Sequence, residues 1–571
     1  MGARYDLIIR KGTIIDGNGG LGYTGDIAVN QGRIAAVGRV DGAGAEEIDA
    51  RDLLVTPGFV DIHTHYDGHV TWASRLGPSS DHGVTTVVMG NCGVGFAPCR
   101  VEDRERLVSL MEGVEDIPET VMTAGLPWTW ESFPDYLDSI EKHRFDMDVA
   151  AYLPHAPLRV FVMGERAAAR EPATPEDVAR MRHIARQAID AGALGFSTSR
   201  TLNHKSSDGV LTPTYAAGAD ELVGVAKGLK DAGKGVLQLI SDFDDLDAEF
   251  GIIRRMAQES GRPLSTTVLQ LHHAPDLWRR ILERIAEASD GGLAIKGQVS
   301  GRPAGVMMGL TLSRNPFMRT PGYRELNHLP HAERLAALRD PARRARILGE
   351  MPGDVDAVER HIMTNWAGIY DFDADGYEPA PDRSIAARAA ACGVAPSAYA
   401  YDLITSGKGD TVLYFPAVNY AGNSTAAVEA MMAHKDTLLG LGDGGAHCGL
   451  ICDASLTTFM LERWSRARAG YMPIEQVIRR LTSETAAAVG LHDRGLIAPG
   501  YRADFNLIDI ERIAVGRPEM VRDLPNGGAR IGQQASGYVA TLVAGEVTYR
   551  EGAPTGALPG RLIRGAQSIA A

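Results

Sequence analysis

Cysteine is scarce in this sequence. The 571 residues include five: Cys92, Cys99, Cys392, Cys448 and Cys452. A number this small, and odd, excludes the disulfide framework by which small secreted domains are stabilised. We therefore expect a reducing environment and predict a cytoplasmic protein.

Long apolar runs and a signal-like start are also missing. Asp6 and Arg10 interrupt the N-terminal segment before an apolar core of signal length can form, and no later run approaches membrane-spanning length. The sequence predicts neither export nor contact with a membrane.

An excess of positive charge is missing as well. With 58 basic and 72 acidic residues, the formal net charge is −14. Such a chain repels phosphate backbones and gains nothing from counterion release, so nucleic acid is excluded as an expected partner. The hydrophobic fraction of 44% and the charged fraction of 23% are those of a folded protein. The length favours one large domain with a smaller companion.

Both ends of the chain have the sequence pattern of a small antiparallel sheet. Short β-type runs separated by turn residues cover the first fifty or so residues, and the same pattern returns in Asp504–Asp509 and Gly537–Tyr549. We predict one β-sandwich built from residues 1–56 and 491–571 and interrupted by a central domain.

Between the two ends, apolar β-type runs alternate with amphipathic helical stretches, which is the pattern of parallel βα units. The candidate strands are Gly58–His63, Thr85–Met89, Asp148–Tyr152, Leu194–Ser197, Gly235–Ile240, Ser265–His272, Gly292–Lys296 and Thr437–Gly442. They predict an α/β fold, a (β/α)8 TIM-type barrel over residues 57–490 with its chemistry at the carboxyl ends of the strands. Residues 303–436 exceed a minimal barrel, and we expect them to form an insertion or lid.

Two histidines follow the first apolar run. His63 and His65 lie two apart, so at a strand end they share one face and can bind one cation. The alternative is a pair of polar residues that merely ends a strand. Asp61 and Pro57-Gly58 complete the string P-G-F-V-D-I-H-T-H. That string resembles the first barrel strand of the amidohydrolase superfamily.

Cys92 lies in a glycine-rich loop beyond the second candidate strand, within T-T-V-V-M-G-N-C-G-V-G-F-A-P. Chemistry alone allows an inert buried cysteine or a thiolate that binds a soft or borderline metal. The string resembles the N-acyl-D-amino acid deacylase (D-aminoacylase) branch of the superfamily, which implies that Cys92 is a zinc ligand. Met111–Pro118 and Pro154–Arg159 are similar to that branch too, and the resemblance extends to about residue 550.

His272 and His273 end the sixth candidate strand. Neighbours on a strand face opposite ways, so at most one of them can point at a metal in the barrel. We prefer His272 as the ligand and expect His273 to support a ligand or to pack, and either one could be purely structural.

Asp443 lies between glycines where the eighth strand should end. A turn aspartate is the alternative. The resemblance implies that Asp443 binds at the metal centre, orients the attacking water, takes its proton and delivers it to the leaving nitrogen. His447 and Asp453 follow closely, and they are candidates for side chains that contact the metal ligands and not the metal itself.

Two places depart from the deacylase pattern. The deacylases carry Thr-His-x-Arg at the end of the fifth strand, and its histidine binds metal; Gly235–Asp242 stands there in this chain. Gln238, Ser241 or Asp242 could take its place, with Asp242 the chemically better ligand of the three, or a single ion is held. The lysine that lies near the substrate carboxylate in the deacylases is replaced by Ala274. Three cations near candidate strand ends could serve instead, or be ordinary ion-pair residues: Arg200, Lys296 and Arg302.

These features predict a metal-dependent hydrolase of a linear amide C–N bond in a small molecule, with an N-acyl amino acid or N-acyl amine as the expected substrate. One or two Zn²⁺ ions, or another divalent metal, would activate water, with Asp443 as base and then acid. A cyclic-amide hydrolase or deaminase on the same barrel is the first alternative. A catalytically inactive scaffold is the second, because the strand-five histidine is missing. We expect a homo-oligomer.

Overall fold

The computed structural model of the chain describes residues 3–353, 357–467 and 471–569. Along the chain, the strands are β1 (Ala3–Ile14), β2 (Tyr23–Asn30), β3 (Arg33–Gly38), β4 (Gly42–Asp49), β5 (Leu54–Pro57), β6 (Phe59–Asp61), β7 (Val84–Met89), β8 (Asp148–Pro154), β9 (Gly195–Arg200), β10 (Val236–Ser241), β11 (Leu264–Thr267), β12 (Ile295–Val299), β13 (Ala304–Met308), β14 (Tyr370–Asp371), β15 (Leu413–Val418), β16 (Thr437–Leu439), β17 (Phe505–Ile508), β18 (Ala514–Leu524), β19 (Gly528–Ser536), β20 (Tyr538–Val543), β21 (Glu546–Arg550) and β22 (Ala553–Pro554).

The helices are α1 (His69–Trp72), α2 (Arg104–Glu115), α3 (Glu119–Gly125), α4 (Phe133–Glu141), α5 (His155–Met163), α6 (Glu165–Ala168), α7 (Pro175–Ala191), α8 (Ala219–Ala232), α9 (Leu246–Ser260), α10 (Leu277–Asp290), α11 (Pro321–Arg324), α12 (His331–Leu338), α13 (Pro341–Gly349), α14 (Ala357–Thr364), α15 (Phe372–Asp375), α16 (Ile385–Cys392), α17 (Pro396–Ile404), α18 (Ala426–Ala433), α19 (Leu456–Phe459), α20 (Ile474–Leu481) and α21 (Ser483–Ala488). Within the described ranges, no helix combines the length and the apolar character that crossing a membrane requires.

Eight parallel strands form the central barrel, in the order β6-β7-β8-β9-β10-β11-β12-β16. The barrel closes where a parallel bridge joins Thr64, beyond β6, to Gly444, beyond β16. There the N–H of His65 donates to the carbonyl oxygen of Gly444 at 2.8 Å. Each candidate strand overlaps one of these eight, so the predicted TIM-type barrel is confirmed.

The barrel helices are amphipathic and pack their apolar faces on the strands. In α10 the buried residues include Trp278, Ile281, Leu282 and Ile285, at the i, i+3, i+4, i+7 spacing of one helix face. In α7 the Thr174 side chain caps the helix start. These local signals make the alternation of strands and helices readable from the sequence.

Strands from both chain ends form one nine-stranded sheet, in the order β22-β21-β20-β17-β5-β1-β2-β3, with β4 on β1. The two ends meet where β17 runs antiparallel to β5 and Asn506 pairs with Thr56. Ile9, Ile27 and Phe505 belong to its buried core. The predicted sheet domain from both chain ends is thus confirmed, while its exact limits stay a prediction.

The chain between β12 and β16 builds a separate layer. β13, β15 and β14 form a small antiparallel sheet, with α11 to α17 around an apolar cluster of their own. β15 attaches this layer to the end of barrel strand β11, because Leu271 bridges Val418 and the N–H of Asn419 donates to Gln270 at 2.9 Å. The insertion therefore lies at the carboxyl end of the barrel, where a lid was predicted.

Candidate metal centre and active site

Three side chains converge at the carboxyl ends of β6 and β7. The ligand atoms of His63, His65 and Cys92 all lie within 4.8 Å of one another, and the three residues are buried. Sγ of Cys92 lies 3.3 Å from Nε2 of His63. Among the described residues, this is the one group of three or more His, Cys, Asp or Glu side chains with such spacing.

Asp443 approaches the same two imidazoles from the end of the eighth strand. Its Oδ1 lies 3.4 Å from Nε2 of His63 and 3.5 Å from Nε2 of His65. Its backbone N–H donates to the carbonyl oxygen of His63 at 2.9 Å, and its φ of 46° places it in the left-handed region within the glycine-rich turn. The turn holds the carboxylate against the two histidines.

Gln298 of β12 orients His63. Its Oε1 lies 2.8 Å from Nδ1 of His63, and its Nε2 donates to Oγ of Ser265 at 2.8 Å. An amide oxygen can only accept, so Nδ1 carries the proton and Nε2 keeps its lone pair. A partner on the far ring nitrogen is what fixes a metal-binding histidine in its tautomer.

Glu115, the last residue of α2, lies next to His65 through an ion-pair contact, not a hydrogen bond. Its Oε1 lies 3.2 Å from Nδ1 of His65, and the carboxylate is buried. The carboxylate also lies 3.9 Å from Nε2 of His447. The backbone joins the end of α2 to the chain just beyond Asp443, because the N–H of His447 donates to the carbonyl oxygen of Glu115.

The Cys92 loop is held by close backbone packing. The N–H of Cys92 donates to Oε1 of Gln238 at 3.1 Å, and Cys92 has a φ of 55°. A Cβ on Gly93 would come within 2.8 Å of the Cα of Thr198, so only glycine fits beside β9. The glycines of the motif thereby bring the thiol to the histidines.

Several acidic groups surround the two imidazoles, and burial shifts their pKa values. Burial raises the pKa of the Cys92 thiol to about 11, and the nearby His65 lowers it only in part. Burial would also raise the pKa of Asp443, but His63 and His65 outweigh it and hold that pKa well below its usual range. Burial raises the pKa of Asp61 and of Asp67 to about 7. These carboxyl groups and the thiol surround the imidazoles with acidic groups.

The donor atoms fit a divalent metal. Two imidazole nitrogens and one sulfur form a set that suits Zn²⁺. Tetrahedral zinc with bonds of about 2.0–2.3 Å separates its ligand atoms by about 3.3–3.6 Å. The separations of 3.3, 3.4 and 3.5 Å among His63, Cys92, His65 and Asp443 agree with that spacing.

His272 and His273 are not brought to this cluster, contrary to our expectation for His272. β11 ends at Thr267, not at residue 272, and the following chain leaves the barrel to pair with β15. Both histidines are exposed, and Nε2 of His272 lies 2.9 Å from the carbonyl oxygen of Pro416. In place of a histidine, β11 presents Ser265 to Gln298.

Asp242 and Arg200 have partners away from the cluster. The Asp242 carboxylate accepts from the Thr201 hydroxyl at 2.5 Å and from the N–H of Leu202 at 2.7 Å. Arg200 donates from Nε and Nη2 to the two carboxylate oxygens of Glu249 at 2.6 and 2.7 Å. The contacts of Asp242 hold the loop that follows β9, and those of Arg200 place its guanidinium in an ion pair with Glu249.

Lys296 and Arg302 are likewise committed. β12 begins at Ile295, so Lys296 lies at the amino end of the strand, where Nζ pairs with Asp436 at 2.9 Å. This is the end of the barrel opposite the predicted chemistry. Arg302 is fully buried, pairs with Asp453 at 2.7 Å and lies 4.0 Å from the ring centroid of Tyr377. Asp453 thus balances an arginine.

Sequence reasoning missed Glu115 and Gln298. Glu115 lies in the string Met111–Pro118, which was noticed for its resemblance but given no role. Gln298 is a buried polar residue of β12, and its inward-facing position was the available signal. Both act through a histidine that is far away in sequence.

A donor set of this kind at the carboxyl ends of a parallel barrel is typical of metal-dependent barrel hydrolases. The sequence model of the amidohydrolase family matches residues 46–549. The chain therefore belongs to the amidohydrolase family, and it is a hydrolase of carbon–nitrogen bonds other than peptide bonds.

Similar proteins include two enzymes of Alcaligenes xylosoxydans xylosoxydans. An N-acyl-D-aspartate deacylase is 28% identical over 575 residues, which cover 99% of this chain and 96% of that enzyme. A D-aminoacylase is 36% identical over 195 residues, or 34% of this chain and 37% of the enzyme. A solved structure, the N-acyl-D-glutamate deacylase of Bordetella bronchiseptica with zinc and a phosphonate inhibitor, covers 98% of this chain and 100% of its own, with a TM-score of 0.63 and 21% identity. The structural likeness supports the fold.

Proposed function

We propose that this chain hydrolyses the amide bond of N-acylated amino acids or related N-acyl amines. His63, His65 and Cys92 would hold a divalent cation, with zinc as the first candidate. The observation that carries the proposal is the convergence of these three ligand groups within 4.8 Å, with Oδ1 of Asp443 3.4 and 3.5 Å from the two histidines. The deacylase names of the relatives support the substrate class.

In this site each side chain has a defined task. A cation bound there would polarise the substrate carbonyl and lower the pKa of water from about 15.7 toward about 7. Asp443, ionised at neutral pH, would accept the proton of the attacking water and return it to the leaving nitrogen. Gln298 would keep His63 in the tautomer that leaves Nε2 free, and Glu115 would pair with His65.

We further propose that residues 57–490 are the catalytic domain, that residues 303–436 cover its mouth, and that the protein is a cytoplasmic homo-oligomer. The attachment of β15 to the end of β11 supports the covering role. The five cysteines are free thiols, which supports a reducing compartment. Light scattering after size-exclusion chromatography measures the number of subunits.

The test of the proposed function compares substrate classes on zinc-loaded protein. N-acyl amino acids of both hands, hydantoins and aminopurines are assayed under identical conditions, and we expect the highest kcat/KM for an N-acyl amino acid. A preference for hydantoins or aminopurines would favour the cyclic-amide hydrolase or the deaminase. A protein with full zinc content that turns over none of these would support the inactive scaffold.

A further inference from the structure

The loop between β9 and α8 carries a histidine next to the candidate metal centre. His204 is partly exposed and lies four residues beyond the end of β9. Burial, together with the nearby His65 and His447 and against the opposing effect of Asp443, lowers its pKa to about 3. The imidazole is therefore neutral and lies within electrostatic range of the centre.

Two contacts fix the imidazole and its backbone. Nδ1 of His204 lies 2.8 Å from Oγ of Ser199, and the N–H of Thr212 donates to the carbonyl oxygen of His204 at 3.0 Å. Ser199 pairs in register with Ile240 of β10. The imidazole is thus anchored beside the carboxyl end of the fifth barrel strand.

The loop is packed on two sides by elements that build the centre. The end of β9 touches the Cys92 loop, where a Cβ on Gly93 would meet the backbone N of Ser199 at 3.2 Å. Further along, the N–H of Ser207 donates to the carbonyl oxygen of Ser109 in α2, the helix that ends at Glu115. The loop is therefore held between the thiol ligand and the helix that ends beside His65.

The second ring nitrogen is available for a ligand. Within the described ranges, Nε2 of His204 has no hydrogen-bond partner in the protein, and it is not one of the fully buried unpartnered atoms. When the Ser199 hydroxyl donates to Nδ1, the proton of the neutral ring resides on Nε2. Nε2–H is then an unpartnered donor on a loop that packs against the Cys92 loop and α2.

We propose that Nε2–H of His204 donates a hydrogen bond to the oxyanion that develops on the substrate carbonyl, an inference that rests on the proposed amide hydrolysis. A neutral donor placed where negative charge develops stabilises the transition state more than the substrate. His204 contacts substrate in this role, and Ser199 is the residue that positions it.

The first test separates this role from a structural one. His204→Ala should lower kcat by about 100- to 1,000-fold, with KM within about threefold because the contact strengthens only in the transition state. Zinc content should remain unchanged, and His204→Gln, whose amide can donate, should recover part of the loss. His183→Ala, which removes an exposed histidine of α7, is the matched control and should leave kcat unchanged.

The second test does not need turnover. Inorganic phosphate, a tetrahedral oxyanion, is titrated calorimetrically into zinc-loaded wild type, His204→Ala and His204→Gln. Loss of one hydrogen bond to a charged group should weaken binding to His204→Ala by about 10- to 100-fold. If wild type hydrolyses no N-acyl compound yet phosphate binding depends on His204, the proposed function fails and the oxyanion contact stands.

Three results would overturn the assignment. Unchanged kcat and phosphate affinity in His204→Ala would show that His204 makes no hydrogen bond to the oxyanion. A rise in KM alone would place the contact in the substrate complex and not in the transition state. Loss of zinc from both His204 variants would make the imidazole a metal ligand.

Discussion

Gln298 accepts a hydrogen bond from Nδ1 of His63 at 2.8 Å, and its amide nitrogen donates to Ser265 at 2.8 Å. In this orientation the amide nitrogen contacts Ser265 and the amide oxygen faces His63. A residue of the seventh barrel strand therefore determines which nitrogen of a first-strand histidine faces the centre.

Gln298→Leu should weaken zinc binding by about 10- to 100-fold without unfolding the barrel, because His63 loses the partner that fixes its tautomer. The measurement is zinc retention against increasing concentrations of a chelator. Gln298→Glu keeps an acceptor oxygen and serves as the control. Equal zinc retention by Gln298→Leu and wild type would show that this contact does not affect zinc binding by His63.

Asp443→Asn should keep the fold and most of the zinc but lower kcat by about a thousandfold or more, because the amide cannot accept and return the proton. Asp436→Asn, at the amino end of the barrel beside Lys296, is the control and should retain activity. Turnover of Asp443→Asn close to that of wild type would assign the proton transfer to another group.

Cys92→Ala should lose tightly bound metal, whereas Cys99→Ala should not. Both thiols are buried, but Cys92 lies 3.3 Å from His63, and Cys99 instead donates to the carbonyl oxygen of Arg100. Elemental analysis after exhaustive dialysis measures the difference. Equal metal content in the two variants would count against a thiolate ligand.

We expect activity on N-acyl compounds with weak dependence on a free α-carboxylate. Arg200, Lys296 and Arg302 each pair with a carboxylate of the protein, and Ala274 provides no charge. One charge-assisted contact is worth about 1.5–3 kcal/mol, or roughly ten- to a hundredfold in affinity. The test compares kcat/KM for an N-acyl amino acid and its carboxamide at equal metal loading. A preference for the acid above a hundredfold would refute the expectation.

Glu221→Gln should lower the free energy of unfolding at neutral pH by about 3–5 kcal/mol. Oε1 of Glu221 accepts from Arg159 at 2.7 Å and lies 3.0 Å from Nε2 of His155, and all three side chains are buried. The substitution leaves the guanidinium without a counter-charge. Denaturant unfolding at several pH values measures the loss.

The pH dependence of that loss has a defined sign. Burial would raise the pKa of Glu221, but His155 and Arg159 outweigh it and lower the pKa. The carboxylate therefore stabilises the fold above its unfolded pKa of about 4.3 and loses this effect as pH falls through the lower folded value. The difference between wild type and variant should shrink in acid, and a constant difference would contradict the ion-pair explanation.

Local sequence patterns predicted most of the fold and part of the candidate site. The first two barrel strands are buried on both faces and lie in apolar runs, and His63, His65 and Cys92 follow these runs closely. The sixth strand shows the limit of this reasoning. Val268, Leu269 and Leu271 extend the β-type run, yet pairing with β15, more than a hundred residues later, draws the chain out of the barrel.

The partners of the ligands could not be predicted for a related reason. Gln298 and His63 are 235 residues apart, and neither the spacing nor the periodicity of the sequence records their contact. Lys296 shows how a shift of a few residues matters. A strand that begins at Ile295 and not at Gly292 moves the lysine from the chemical end of the barrel to the opposite end.

The bridge between Thr64 and Gly444 makes the centre a seam between the first and the last barrel strand. His63 and Asp443 lie on opposite sides of this seam, so the site is complete only when the first and the last barrel strand are joined. A cation that binds at this seam binds the closed barrel and not the open one, and it therefore stabilises the whole closed structure by mass action. Resistance to unfolding should thus follow the concentration of free metal, which makes metal supply a control on the lifetime of the protein as well as on its chemistry.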